Sequence, residues 1–246
     1  MTASERVQKV LARAGLASRR EADRWVAEGR VRVNGEPATP GTRVGPGDEV
    51  TVDGRRLELS AAFPATRVLA YHKPEGELCA RSDPEGRPTI FDHLPDPGRG
   101  RWIQVGRLDL NTSGLILLTT DGDLANGLMH PSREVEREYA VRVRGEPDRA
   151  TRRRLEQGVS LEDGPARFLR VEPSQGRGKN TGLRVTLAEG RKREVRRLLE
   201  AVGHPVSRLK RIRFGPVSLP RDLKPGQWRE LGPGEVAELR RVAGLE

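Results

Sequence analysis

GRLDLNTSGLILLTTDGD, residues 106 to 123, sets a carboxylate between two leucines shortly ahead of a run of four aliphatics. Leu115 to Leu118 shows no polar alternation and the run ends at an Asp121-Gly122 turn signal, so it reads as a short strand covered on both faces. Asp109 then falls in the loop leading into a core strand. Two readings of that aspartate stand on the residues alone. In one, its side-chain oxygen takes a nearby backbone amide within Asn111-Thr112-Ser113-Gly114. In the other, Leu108 and Leu110 strip water from the carboxylate, which then needs a cationic partner or a chemical task.

The rest of the chain narrows what that task could be. Its 246 residues include 45 Lys or Arg against 35 Asp or Glu, a formal charge of +10. Polyanions are the natural partners of such a surface, through phosphate neutralisation and counterion release. Hydrophobic residues make up 35% of the chain and aromatics 4%; they fall in periodic clusters, which argues for a folded chain over a disordered one. No long apolar span, signal sequence or basic amphipathic helix stands out, so a cytoplasmic protein with no membrane partner is expected. Cys79 is the sole cysteine, which excludes an intrachain disulfide and a thiolate zinc cluster. His72, His93, His130 and His204 lack metal-ligand spacing, and no metal is expected.

Residues 1 to 60 read as a small module. Val7, Val10, Leu11 and Ala14 line one face of a helix from Glu5 to Ala14, and Gly15 stops it. A second helix opens at Ser18 with Glu21 as its capping-box partner and ends at Gly29. Val31 and Val33 alternate into an Asn34-Gly35 hairpin, and Val50-Thr51-Val52 runs into Asp53-Gly54. Leu11, Leu16, Ala22, Trp25 and Val26 form the packed side, while Arg13, Arg19, Arg20, Arg24 and Arg30 can project to the other. The segment RVQKVLARAGLASRREADRWVAEGRVRVNG resembles the S4-type RNA-binding domain, in its Ala-Ser-Arg-Arg-Glu-Ala helix start and its Gly-Arg-Val-x-Val-Asn-Gly hairpin.

A linker at 61 to 67 separates this module from a larger unit at 68 to 246. Strand-like runs lie at Val68 to His72, Ile103 to Val105, Leu115 to Thr119, Tyr139 to Val143, Phe168 to Val171, Leu183 to Leu187 and Val206 to Ile212. Helix-like runs lie at Gly122 to Met129, Asp148 to Leu155, Glu194 to Val202 and Gly234 to Val242. Strands and helices mixed without strict alternation indicate an α+β fold with a mainly antiparallel, mixed sheet.

Charge concentrates late in this unit. Arg191 to Arg229 holds twelve Lys or Arg against Glu194, Glu200 and Asp222. Arg193, Arg196 and Arg197 sit at a helix start, and Arg208, Lys210, Arg211 and Arg213 follow along a strand, a cluster suited to phosphates.

Gly106-Arg107-Leu108-Asp109 with Thr112, Gly114, Leu115 and Thr120-Asp121-Gly122 resembles the catalytic signature of RNA pseudouridine synthases of the small-subunit/large-subunit ribosomal branch. REYAVRV around Tyr139 and EGRKREVRRL around Arg196 match in the same order. YHKPEGELCARSDPEGRPTIFD and MHPSREVEREYAVRV are similar to the large-subunit members of that branch. The resemblance implies the pseudouridine synthase fold and isomerisation of a uridine in 23S rRNA, free or in a large-subunit assembly intermediate, by a monomer without cofactor or metal. It implies an ionised Asp109 that attacks the anomeric carbon or assists proton removal beside it. It further implies Arg196 as the cation that keeps Asp109 charged and Tyr139 as the ring stacked on the flipped base. Arg13, Arg19, Arg20, Arg24, Arg30, Lys73, Arg107, Arg193, Arg208, Arg211 and Arg213 complete the set as RNA contacts.

Three features invite other readings. Asp121 and Asp123 fit a strand-ending turn and helix cap as readily as the metal site of a nuclease. Glu134, Glu136 and Glu138 alternate as an acidic, solvated edge. Gly176 to Asn180 is a basic loop, for RNA or for a plain hairpin. A non-catalytic RNA-binding assembly factor is the main rival function, and the joint presence of Asp109, Tyr139 and Arg196 speaks against it.

Overall fold

The computed structural model describes residues 4–45, 47–57, 65–98, 100–177 and 180–245, with the side chains of 175–177 excepted. It divides into two compact units. One comprises residues 1–67 with 95–103 and 119–122; the other comprises 68–94, 104–118 and 123–246.

In the first unit β1 (Glu5–Arg6), α1 (Val7–Arg13) and α2 (Arg19–Ala27) precede β2 (Val31–Val33), β3 (Glu36–Pro37), β4 (Arg43–Val44), β5 (Val50–Val52) and β6 (Arg55–Leu57). The Ser18 hydroxyl accepts from Glu21 N at 3.1 Å and Ser18 N donates back to the Glu21 carboxylate at 3.3 Å, the reciprocal cap expected at the start of α2. Asn34 and Gly35, with φ of 52° and 84°, turn β2 into β3 as a primed hairpin requires. Val7, Val10, Leu11, Ala22, Val26, Val31 and Val50 form the core. The order of the four-stranded sheet is β3-β2-β5-β6.

Two expectations change here. Glu5 and Arg6 do not extend the first helix: they pair as a strand with Val44 and Arg43, and the Glu5 carboxylate accepts from Lys9 and Arg13. Leu16, expected on the packed side, is 48% exposed because the chain has already left α1 at Gly15. Of the expected linker, 61–64 lies outside the described residues.

The second unit is built on a nine-stranded sheet. Its strands are β7 (Val68–Lys73), β8 (Ile103–Val105), β9 (Ser113–Thr119), β10 (Arg137–Arg144), β13 (Arg170–Arg177), β14 (Asn180–Leu187), β15 (Val206–Phe214), β16 (Val217–Ser218) and β17 (Trp228–Glu230). The order is β13-β14-β10-β15-β9-β7-β17, with β16 on β15 and β8 on β9. The pairs β13–β14, β10–β14, β10–β15, β15–β16 and β7–β17 are antiparallel, and β9–β15 is parallel. This is the mixed, mainly antiparallel α+β sheet expected. β7 is buried from end to end and β9 from Gly114 onward, as a central strand with both faces covered must be.

The helices are α3 (Gly122–Met129), α4 (Arg149–Gln157), α5 (Glu194–Glu200) and α6 (Pro233–Ala243), and a small hairpin joins β11 (Val159–Leu161) to β12 (Gly164–Ala166). Phe168, expected to open a strand, is instead fully buried, with its N–H on the Leu155 carbonyl at 3.0 Å; β13 begins two residues later. In the loop expected from Gly176 to Asn180, Gly178 and Lys179 lie outside the described residues.

Candidate active site

The loop from Gly106 to Thr112 joins β8 to β9, and its main chain is tied at every carbonyl from 109 to 112. The Asp109 carbonyl accepts from Thr112 N at 3.0 Å. The Leu110 carbonyl accepts from Gly76 N at 2.9 Å and from the Lys73 ammonium at 3.4 Å. The Asn111 carbonyl accepts from Arg196 Nη2 at 2.7 Å, and the Thr112 carbonyl from Lys73 Nζ at 3.0 Å. Leu108, itself buried, donates its N–H to Cys79 Sγ at 3.3 Å. The turn foreseen around Asp109 is therefore closed by main chain, and the carboxylate is left over. Among the described residues it makes no hydrogen bond or ion pair, and it is half-buried.

Beyond the loop, Gly114 pairs with Arg211 across β9 and β15. Its φ is +111°, and a Cβ there would lie 2.2 Å from the Arg211 carbonyl oxygen, so only glycine permits the approach. Arg211 in turn pairs with Tyr139 on β10. Gly114, Arg211 and Tyr139 thus stand abreast on three adjacent strands, and Tyr139 lies two strand spacings, roughly 10 Å, from the start of β9.

Arg196 projects from the first turn of α5 onto this loop. Besides Asn111, it donates to the Val206 carbonyl at 3.3 Å. Burial and the neighbouring Arg193 push the guanidinium down from its usual range, and the charges of Asp109 and Glu75 push it back up. Asp109 is thus within electrostatic reach of Arg196 without a salt bridge between them. On this loop the Arg196 hydrogen bond goes to the Asn111 carbonyl, two residues from Asp109.

Lys73 and Arg211 require correction as RNA contacts. Lys73 is 0% exposed; its Nζ also donates to the Pro74 carbonyl at 2.8 Å, and burial pushes the ammonium down against the opposing charges of Cys79, Glu77, Glu75 and Asp109. Arg211 is 2% exposed, donates from Nε to the Leu115 carbonyl at 2.7 Å and lies over the Phe214 ring. Both cations sit inside the fold, where backbone carbonyls replace the water around Lys73 Nζ and around Nε of Arg211. Lys73 at the end of an apolar run, VLAYHK, was the available signal that it is buried; nothing in the sequence marks Gly76 or the Asn111 carbonyl.

Other cations of the expected set are engaged by carboxylates. Arg213 bonds Glu136 at 2.8 Å and Glu138 at 3.0 Å, and Arg184 reaches Glu138 at 3.2 Å, so the acidic edge is neutralised and not merely solvated. Arg13 bonds Glu5. Arg30 holds Asp53 with two hydrogen bonds of 2.9 and 2.6 Å and lies over the Trp25 ring. Arg19, Arg20, Arg24, Arg107, Arg193 and Arg208 are exposed. Asp121 accepts from the Thr66 hydroxyl at 3.0 Å, and no group of three His, Cys, Asp or Glu among the described residues is arranged to hold a metal. No helix of the described residues is long and apolar enough to cross a membrane.

The RNA pseudouridylate synthase model matches residues 67–201, and the S4 domain model matches residues 5–50. The chain is 57% identical over 245 residues to ribosomal large subunit pseudouridine synthase B of Escherichia coli strain K12, covering 98% of this chain and 84% of that protein. It is 56% identical over 244 residues to the protein of the same name from Pseudomonas aeruginosa, again covering 98% of this chain, but it spans only 63% of that relative's length. A crystal structure of a pseudouridylate synthase superposes with a TM-score of 0.67 at 26% identity, covering 95% of this chain and 99% of the other.

Proposed function

The chain belongs to the RNA pseudouridylate synthase family, and from that premise we propose that it isomerises a uridine of 23S rRNA to pseudouridine, with Asp109 as the catalytic carboxylate. The observation that carries this reading is the run of four tied carbonyls from 109 to 112 beneath an unpartnered carboxylate. A side chain whose backbone is held on all sides is positioned before the substrate arrives, which lowers the entropic part of the barrier.

The reaction breaks the bond between N1 and C1′, turns the freed uracil, and joins C1′ to C5. The C5 hydrogen leaves as a proton and N1 takes one up, so no atom is gained and nothing is oxidised. Asp109 serves either by attacking C1′ or by taking a proton beside it, and both routes need the ionised form. Arg196 favours that form by its charge and holds the loop by its bond to Asn111. Tyr139 supplies the ring on which the flipped base stacks, offsetting the few kcal/mol of unstacking. Arg107, Arg193 and Arg208 take phosphates. Residues 1–60 dock the RNA through Arg19, Arg20 and Arg24, joined by a linker at 61–67 to the catalytic residues 68–246. The protein acts as a cytoplasmic monomer, without cofactor, on free 23S rRNA or an assembly intermediate.

Incubation of the protein with 23S rRNA, followed by mapping of pseudouridine, tests the reading. One new pseudouridine that fails to form with Asp109→Asn is the expected result. RNA that is bound but unchanged would overturn it in favour of a binding factor.

A further inference from the structure

Helix α4 places Arg149, Arg152, Arg153 and Arg154 within six residues. Arg149 and Arg153 fall on the side away from the buried Leu155, with exposed Arg154 to one side and part-buried Arg152 to the other. Among the described residues none of the four has a carboxylate partner. The acids nearest in sequence are spent elsewhere: the Asp148 side chain caps Thr151 N at 2.7 Å, and Glu156 accepts from Val171 N at 2.8 Å.

This arrangement opposes helix electrostatics twice. Arg149 and Arg152 lie near the positive end of the helix dipole, and no acid occupies its first turn. Arg149 and Arg153 repel one another at i, i+4. Arg13, Arg30 and Arg213, by contrast, all have their charge met within the fold. On α4 the guanidinium groups are left open to an anion from outside.

Its place in the fold says which complement. α4 lies along β13, the edge strand of the large sheet, through the Phe168–Leu155 and Val171–Glu156 hydrogen bonds. Val171 is in register with Val185, and Val185 with Tyr139, two strand spacings away. A backbone whose uridine is stacked on Tyr139 and that crosses the sheet toward β13 reaches α4 within a few nucleotides. Guanidinium groups bind phosphate oxygens in pairs, which suits arginine better than lysine here. We infer that α4 is a second phosphate-binding element that grips the rRNA backbone beside the target nucleotide. This rests on the assignment of Tyr139 and Asp109 to an rRNA uridine.

The test uses the full chain with Arg149→Gln, Arg153→Gln and Arg154→Gln combined, binding a 23S rRNA fragment that contains the modified uridine, at 50 to 200 mM salt. Each lost phosphate contact lowers the slope of log K against log salt by about one, so the slope should fall by about 2 to 3 and Kd rise by roughly tenfold or more. The loss should fall on Kd more than on the single-turnover rate at saturating RNA. Lysine at the same three positions should restore most of the slope. A matched removal of three charges, Arg87→Gln, Arg133→Gln and Arg241→Gln, should change it by less than one. An unchanged slope in the α4 variant, or an equal loss in the matched one, overturns the inference. So does an unchanged RNA slope with lost binding to phosphatidylserine vesicles, which would assign the helix to a membrane surface. If the parent protein binds this RNA yet forms no pseudouridine, the functional reading falls while the slopes still judge α4.

Discussion

Arg30 and Arg196 donate hydrogen bonds of nearly equal length, 2.6 Å and 2.7 Å, to quite different effect. Arg30, in the N-terminal unit, meets the carboxylate of Asp53 at the surface, where water competes for both charges and the pair adds little. Arg196, in the larger unit, meets a main-chain carbonyl beside Asp109 and fixes the path of a loop. Lys73 and Arg211 follow Arg196: each is buried and each donates to carbonyls. Removing a surface partner returns both groups to water, whereas removing a buried donor leaves its acceptors dry and unsatisfied. The same residue type thus serves a screened surface pair in one place and backbone geometry in the other.

The comparison is broken most severely at the carboxylate that the geometry serves. Asp109→Asn is expected to lower the single-turnover rate by roughly a thousandfold or more with little change in RNA affinity, because only the ionised oxygen is lost. A residual rate within tenfold of the parent would remove Asp109 from the chemistry.

Lys73→Met comes next. It leaves the Pro74 and Thr112 carbonyls without their donor, and should cost about 2–4 kcal/mol of stability in denaturant unfolding, with a falling turnover rate and an unchanged Kd for RNA. Equal stability and rate in the variant would mean that the ammonium does not hold the loop.

A smaller, pH-dependent effect is expected beneath α5. Glu194 is 3% exposed, and burial together with the adjacent Glu189 carboxylate pushes it up to about 7; Arg191, whose N–H it accepts at 3.0 Å, pulls the other way. A carboxyl raised in the folded state stabilises the fold at low pH, and loses that contribution as pH climbs from the unfolded value near 4.5 through 7. The melting temperature of the parent relative to Glu194→Gln should therefore fall across pH 5 to 7.5. A constant difference across that range would show that Glu194 does not titrate there.

The smallest effect is at Arg30. Arg30→Gln should leave the melting temperature within about a degree of the parent, since the exposed pair with Asp53 is screened. A loss as large as that of Lys73→Met would erase the distinction between the two kinds of cation.

Much of this protein was legible in local sequence. The capping box at Ser18 and Glu21, the hairpin at Asn34-Gly35, the strand at Ile103–Val105 and the helix at Gly122–Met129 all appear as read. Each depends on contacts within a few residues, on turn stereochemistry or on an unbroken apolar run. β17, a short strand with no such signature, went unread because its partner β7 is distant in sequence.

At the candidate site the division is sharper. The sequence alone determined that Asp109 stands in a loop before a core strand, that Gly114 follows it, and that basic residues gather late in the chain, since these are facts of order and spacing. Which cations face solvent and which face the interior was decided only by the tertiary structure. Lys73 and Arg211 read as surface charge because a period of two places a side chain on one face or the other without saying what covers that face. Their burial follows from β9 lying between β7 and β15, a neighbourhood set by pairing across about a hundred residues. Once there, Lys73 is met by carbonyls of the Asp109 loop, and Arg211 by the Leu115 carbonyl of β9 and the Phe214 ring.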